Sequence, residues 1–454
     1  MDKLYFRSNF IGIKWLIQRG IAMIKEINDG KFSFDGCDVV ELKATYGTPL
    51  YVYSLTDIKM RINELKAAFT DKYDHCRIAY AGKAFLNLAM VRLIHREGLC
   101  LDAVSGGELI TALQADFPAE RIEFNGNNKL PWEIELAVKH GVGRIIIDGL
   151  NEISLIAKYA RQYSRKVEVL LRITPGVAAS THDYIVTGKK DSKFGFTLSE
   201  DGIYQALNEV FQEDSLELLG FHFHLGSQLF ENDVYLKALD ILFELIEDVK
   251  GRFGFVPKEL NIGGGFGINY LASDERKPYD FFLAPVMDKI EGFFKAKQLE
   301  RPAIVTEPGR SIVGEAGITL YTIGNIKDIP GVRKYVSVDG GMTDNIRPAL
   351  YDAKYEGLIA EKAGREDREL VTIVGKCCES GDIIAKDTMI APPETGDTLV
   401  VFSTGAYGHS MASNYNKMPI PAIVFVENGH HQLVTRRQSY EDLTRNDMIP
   451  ESLG

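Results

Sequence analysis

From Arg77 onward, short runs rich in β-branched and aromatic residues alternate eight times with longer segments of helical spacing, and this limits the possible folds more tightly than any other feature of the chain. The runs are Ile78–Ala81, Cys100–Val104, Arg121–Phe124, Arg144–Asp148, Val167–Ile173, Leu216–His224, Glu259–Ile262 and Ala303–Thr306. Between them lie helix candidates such as Leu86–Arg96, Gly107–Ala115, Glu152–Tyr163 and Val234–Lys250. Strictly alternating strand and helix predicts a parallel sheet with helices packed over it. Eight units in about 230 residues have the size of a closed (β/α)8 TIM-like barrel. An open doubly wound sheet would need a glycine-rich phosphate fingerprint after its first strand, and none follows Ile78–Ala81.

Beyond Glu315 the texture changes to β-rich segments, Ile318–Ile326, Tyr335–Val338, Leu370–Val374, Thr398–Phe402, Ala422–Glu427 and Gln432–Arg436. They predict a separate C-terminal β-domain of sandwich or barrel-like form. Two early strand candidates, Lys31–Phe34 and Leu50–Tyr53, are free to pair with that domain rather than the barrel. The expected division is a leader of uncertain role over residues 1–22, strands joining the β-domain over 23–56, a cofactor-binding barrel over 57–314 and the β-domain over 315–454. A chain of 454 residues is too long for one ordinary domain, which agrees with this division.

Charge narrows the ligand. With 63 acidic against 52 basic residues the formal net charge is −11, which opposes binding to nucleic acid or an anionic membrane and favours a small molecule. The five cysteines, Cys37, Cys76, Cys100, Cys377 and Cys378, are odd in number and form no C-x-x-C pair, so a disulfide framework and a zinc site are not indicated and a reducing cytoplasm fits. The partly apolar stretch Asn9–Ile24 is interrupted by Lys14, Gln18, Arg19 and Gly20, and reads as neither export signal nor membrane span.

Chemically rich residues fall at strand ends, where barrel enzymes build their sites. Lys83 follows the first strand in Tyr80-Ala81-Gly82-Lys83-Ala84-Phe85, where partial burial would free its amine to form a Schiff base with an aldehyde cofactor; the plain alternative is a solvated lysine with a buried stem. In Phe221-His222-Phe223-His224-Leu225-Gly226-Ser227 the two histidines share a face, but no third metal ligand is near. His222 reads as a satisfied core histidine, and His224 as a ring able to lie against an aromatic cofactor. The turn Gly263-Gly264-Gly265 lets backbone N–H groups approach a phosphate, and Ser227 can add a hydroxyl. Glu307-Pro308-Gly309-Arg310 closes the eighth strand with a carboxylate suited to a protonated pyridine nitrogen and a guanidinium suited to an oxyanion. In the β-rich part, Lys376-Cys377-Cys378-Glu379-Ser380-Gly381-Asp382 sets a thiol beside a carboxylate, while Arg347 with Tyr351, and Tyr407 on a glycine-flanked turn, add a cation and two phenols.

Taken together the motifs YAGKAF, HLGSQ, IGGGFG, EPGR, NIRPALY, CESGD, TGAYGHSMASNYN and HDYIVTGKKDSKFGF resemble the fold-type III pyridoxal-phosphate decarboxylases, and within them the branch that acts on diaminopimelate. The similarity runs from about Asp35 to Glu451. It implies an N-terminal barrel, a C-terminal β-domain and a homodimer whose active sites lie at the subunit interface. It implies pyridoxal 5′-phosphate joined to Lys83, stacked on by His224, with its phosphate held by Ser227, Gly264 and Gly265 and its ring nitrogen met by Glu307. In the same motif Gly309 and Arg310 belong to the cofactor cradle, and Arg310 also reaches substrate. Arg347, Tyr351, Glu379 and Tyr407 match substrate positions, Tyr407 lying near the cofactor as well, and Cys378, not Cys377, matches the proton donor lent by the partner subunit. One departure stands out: Phe85 occupies a place where the family more often has asparagine.

The implied chemistry is loss of carbon dioxide from an amino acid bound as an imine, with Cys378 returning a proton and Lys83 releasing the product. Charge argues for the substrate. Arg310 and Arg347 suit a second carboxylate, Glu379 its neighbouring ammonium, and a pocket so charged disfavours lysine or ornithine. The reading is D-centre decarboxylation of meso-diaminopimelate to L-lysine, the stereochemistry coming from the resemblance. The alternatives are decarboxylation of ornithine, arginine or carboxynorspermidine, amino-acid racemisation on the same barrel, and a non-catalytic cofactor-binding relative. The stretch His182–Phe196, rich in Gly, Lys and Asp, is the candidate mobile segment near the substrate.

Overall fold

A computed structural model describes residues 24–177 and 192–454. The leader expected over residues 1–22 and most of the candidate mobile segment, 182–191, lie outside the described residues. The chain separates into two compact units. One is Arg61–Ile268 with Arg276–Ser311, and the other comprises the described residues up to Met60 with Asn269–Glu275 and Ile312–Gly454.

The first unit is a closed barrel of eight parallel strands. In chain order they are Cys76–Ala81, Cys100–Ala103, Ile122–Phe124, Arg144–Ile147, Val167–Arg172, Leu216–His222, Glu259–Asn261 and Ala303–Thr306, and the eighth pairs with the first through Ile304 and Cys76. Every run read from the sequence is a strand, and most residues in these strands are buried, as expected for a parallel sheet covered on both faces. The helices that follow begin where a side chain can cap them. Asn87 Oδ1 accepts from Met90 N at 2.8 Å, so the helix after the first strand starts at Leu88 rather than Leu86. Ser105 Oγ accepts from Glu108 N at 3.2 Å and starts the next helix at Gly106. Between the first strand and its helix a short 3-10 turn, Gly82–Ala84, carries Lys83.

The second unit is mostly sheet. Its main path runs Ile383–Ile390, Glu369–Val374, Arg333–Val338, Gly317–Ile329, Leu50–Ser54, Ala422–Glu427, His430–Thr435. The early strand Leu50–Ser54 therefore does pair with the β-rich part, antiparallel to Gly317–Ile329 and parallel to Ala422–Glu427. Lys31–Phe34 instead joins Lys25–Asn28 and Cys37–Asp38 in a small sheet of its own. Alternation along the strands supplies two cores. Leu50, Val52, Ile318, Leu320, Val400 and Val424 pack on one face, and Tyr321, Ile323, Leu399 and Val401 turn to the other, with Val336 and Ile373. Among the described residues no helix is long and apolar enough to cross a membrane.

Candidate active site

Lys83 is partly buried at the carboxyl end of the first barrel strand, and its charge acts on Asp102, Glu108, His224 and Glu307, side chains from four other places around the barrel mouth. A lysine so placed faces the polar interior of the mouth rather than bulk water.

Beneath it lies a buried polar cluster. Glu307, just past the eighth strand, accepts through Oε1 from Asn125 Nδ2 at 3.0 Å and Asn261 Nδ2 at 2.8 Å. His222 Nε2 lies 3.1 Å from both Glu307 oxygens, and because a carboxylate only accepts, that nitrogen carries the proton. Burial lowers the His222 pKa, so the ring is neutral, and its Nδ1 has no hydrogen-bond partner among the described residues. Burial alone would push the Glu307 carboxyl up, but the contact with His222 and the Lys83 charge outweigh it and hold the group well below the usual carboxylate range. Its neighbours go the other way. Burial, then the charge of Glu307, pushes Asp102 up to about 8, and burial with Glu259 and Glu307 pushes Glu123 well above its ordinary value.

His224 is held neutral by burial and by the Lys83 charge, and its Nδ1 accepts from Gly264 N at 3.3 Å, which fixes the orientation of the ring. The glycine turn tolerates no side chain. A Cβ on Gly264 would stand 2.0 Å from the Glu307 carbonyl oxygen and one on Gly265 2.3 Å from that of Gly226, while Gly263 and Gly265 have φ of +68° and +113°. Ser227 Oγ accepts from Arg310 at 3.2 Å through Nε and at 2.9 Å through a terminal nitrogen, which leaves its own hydroxyl proton to donate. A Cβ on Gly309 would lie 3.0 Å from the methyls of both Ala81 and Ala84 beside Lys83. This donor set fits a phosphorylated pyridine aldehyde: an amine for the aldehyde, a bare backbone turn with serine and arginine for the phosphate, an ionised carboxylate for the ring nitrogen and a neutral imidazole for the ring face.

In the second unit Arg347 is buried among aromatic rings. Its guanidinium carbon lies 5.2 Å from the Tyr351 ring centre, 5.6 Å from Tyr407 and 5.8 Å from Tyr270, and its Nε donates to the Tyr355 hydroxyl at 2.9 Å. Cys378 and Glu379 occupy a different, exposed turn of the same unit. That turn is pinned from behind: Asp382 accepts from Cys377 N at 2.8 Å and Met342 N at 2.7 Å, and Asn416 Oδ1 accepts from Cys378 N at 2.8 Å.

The structure thus gathers Lys83, His224, Ser227, Gly264, Gly265, Glu307, Gly309 and Arg310 at one barrel mouth and, separately, Arg347, Tyr351 and Tyr407 in the β-unit. Sequence reading passed over Asp102, Glu123, Asn125 and Asn261, and took His222 as core. Their signal was a lone polar letter inside apolar triplets, as in Leu101-Asp102-Ala103, Ile122-Glu123-Phe124 and Leu260-Asn261-Ile262.

Residues 55–314 match the family described as pyridoxal-dependent decarboxylase, pyridoxal binding domain. The chain is 47% identical over 419 residues to a diaminopimelate decarboxylase of Bacillus subtilis, covering 92% of this chain and 95% of the relative. A diaminopimelate decarboxylase of Staphylococcus aureus is 43% identical over 425 residues, with 93% and 99% covered. Among solved structures, the diaminopimelate decarboxylase of M. jannaschii in complex with L-lysine superposes with a TM-score of 0.89 at 34% identity, over 95% of this chain and 99% of that one.

Proposed function

The chain belongs to the diaminopimelate decarboxylases, within the pyridoxal-dependent decarboxylases, and on that premise we propose how its residues divide the work. The protein uses pyridoxal 5′-phosphate and releases CO2 from meso-2,6-diaminopimelate to leave L-lysine, the closing step of lysine biosynthesis. The observation that carries the residue assignment is Glu307, a buried carboxylate kept ionised by its donors within reach of the Lys83 charge.

When bound, the cofactor supplies an electron sink for the pair left behind by departing CO2. The protein's residues make that sink usable. Glu307 keeps a proton on the ring nitrogen, and His224, neutral and tethered to Gly264, presents a flat uncharged face to the ring. The Gly264–Gly265 turn with Ser227 and Arg310 takes the phosphate, beside Gly309. Lys83 Nζ would be the amine that anchors the aldehyde of the cofactor. Cys378 delivers the proton that replaces CO2, and its exposure suits a donor offered to a partner subunit's site; the working form we propose is a homodimer, and the odd number of cysteines with no C-x-x-C pair fits a reducing cytoplasm.

Selectivity follows from charge. Arg310 and Arg347 take the distal carboxylate of the substrate, Glu379 its distal ammonium, and the hydroxyls of Tyr351 and Tyr407 complete the polar shell. A substrate lacking that carboxylate would forgo charge-assisted hydrogen bonds to the two guanidinium groups, which disfavours it relative to diaminopimelate. The test is an absorption spectrum of the purified protein before and after meso-diaminopimelate, with gas and product identified. Release of CO2 with formation of lysine is expected. Epimerisation without gas, or turnover of ornithine in preference, would overturn the reading.

A further inference from the structure

The donors around Glu307 come from three different strands, and each amide holds two carboxyls at once. Asn125, past the third strand, donates from Nδ2 to Asp102 Oδ1 at 2.7 Å as well as to Glu307. Asn261, ending the seventh strand, donates from Nδ2 to Glu123 Oε2 at 2.7 Å as well as to Glu307, while its Oδ1 accepts from Gly263 N at 2.9 Å. His222, ending the sixth strand, adds the third donor. None of the three side chains is more than 3% exposed. An Nδ2 group has two N–H bonds, so each amide spends both on carboxyl oxygens.

The distribution over Glu307 is uneven. Oε1 meets Asn125, Asn261 and His222, more donors than its two lone pairs accept in good geometry, whereas among the described residues Oε2 meets His222 alone, through a hydrogen shared with Oε1. One oxygen is saturated and the other keeps accepting capacity. Three carboxyls packed in one dry cluster cannot all ionise, and the one that collects the donors keeps the charge. Asp102 and Glu123 accordingly stay protonated while Glu307 does not.

We propose that Asn125, Asn261 and His222 are positioning residues, the two amides pinning Glu307 through Oε1 and His222 bridging both oxygens, and that they thereby leave Oε2 the accepting capacity for the ring N–H of the bound cofactor. Asn261 is the most consequential of them, because the same amide also sets Gly263 at the start of the glycine turn and so ties the ring-nitrogen partner to the phosphate loop. The inference rests on the assignment of Glu307 as ring partner, and its test separates the two.

The experiment loads the apoprotein with pyridoxal 5′-phosphate labelled with 15N in the ring and reads the ring-nitrogen NMR shift in wild type, Glu307→Gln, Asn261→Leu and Asn125→Leu, each checked for folding by circular dichroism. A protonated ring nitrogen in wild type that is lost in Glu307→Gln supports the assignment of Glu307; an unprotonated nitrogen in wild type would sink both the assignment and this inference. With Glu307 upheld, both leucine variants are expected to move the signal toward that of Glu307→Gln and to lower kcat roughly tenfold with little change in KM. A wild-type shift in either folded, loaded leucine variant would overturn the inference alone. His222 supplies an independent pair: His222→Gln, which keeps an N–H donor, is expected to hold the ring proton that His222→Phe loses, and equal spectra for the two would overturn the inference even if the leucine variants do not fold.

Discussion

Cys377 and Cys378 are adjacent in the chain and opposite in circumstance. Cys377 is buried with its sulfur 3.6 Å from that of Met418, and burial, with the nearby Asp382, pushes its thiol up to about 11. Cys378 is exposed, as the proposed proton donor must be. Replacing Cys378 by alanine is expected to cut kcat by roughly a hundredfold while the cofactor absorbance persists, whereas Cys377→Ala costs thermal stability and leaves kcat within a factor of a few. Steady-state kinetics on the two variants decide it, and the reverse pattern would show that the sequence match is off by one. A second residue titrates with the fold. Burial pushes the Asp344 carboxyl up from 3.8 to about 7, partly opposed by the Gly341 N–H and helped by Asp339 and Asp382. The folded chain keeps a proton that the unfolded chain surrenders, so the stability linked to this group is complete below about pH 4 and is lost as pH rises toward about 7. Urea unfolding of Asp344→Asn should therefore lose on the order of 2 kcal/mol less than wild type between about pH 5 and about pH 8. Identical slopes would mean that Asp344 is already ionised in the native protein.

The barrel strands were legible because each is a short apolar run bounded by turn residues, and their ends were placed to within about two residues. The strand Ile383–Ile390 was not. Its middle, Lys386 and Asp387, is exposed, Asp387 has φ of +51°, and the pairing register shifts there, so the alternation that marks a strand is broken. Gly357–Ile359 is too short to show a period. The same logic divides the site. Lys83, Glu307 and the glycine turn stood out because they follow strands as compact motifs, while Asn125 and Asn261 gain their meaning only from partners on other strands. At the scale of a loop, the glycine turn is the element most sensitive to one added carbon. Gly264→Ala would press on the Glu307 carbonyl oxygen, so a drop of at least roughly tenfold in affinity for pyridoxal 5′-phosphate is expected. Titration of the apoprotein, followed by tyrosine and tryptophan fluorescence, measures it, and unchanged affinity would show that the turn does not face the cofactor.

For the whole molecule, the homodimer reading makes a prediction that no single variant can. If Cys378 serves the partner's site, Lys83→Ala and Cys378→Ala homodimers are each nearly inactive, yet after mixing and subunit exchange they form heterodimers with one intact site. Partial recovery of lysine formation is expected, and no recovery despite verified exchange would place both residues in the same subunit's site. The second unit has its own consequence at this scale. Leu50–Ser54 sits between Gly317–Ile329 and Ala422–Glu427, so this strand finds one neighbour only after the whole barrel and most of the other strands of its own sheet have been made. The barrel can close while its nascent chain is still tethered to the ribosome, but this sheet must wait, with a buried apolar strand that has one edge unzipped until Ala422–Glu427 emerges. A stop that falls after the last barrel strand, Ala303–Thr306, but before Ala422 thus releases a chain whose fully translated barrel trails an open, sticky edge, and quality control has a clear signal by which to recognise it.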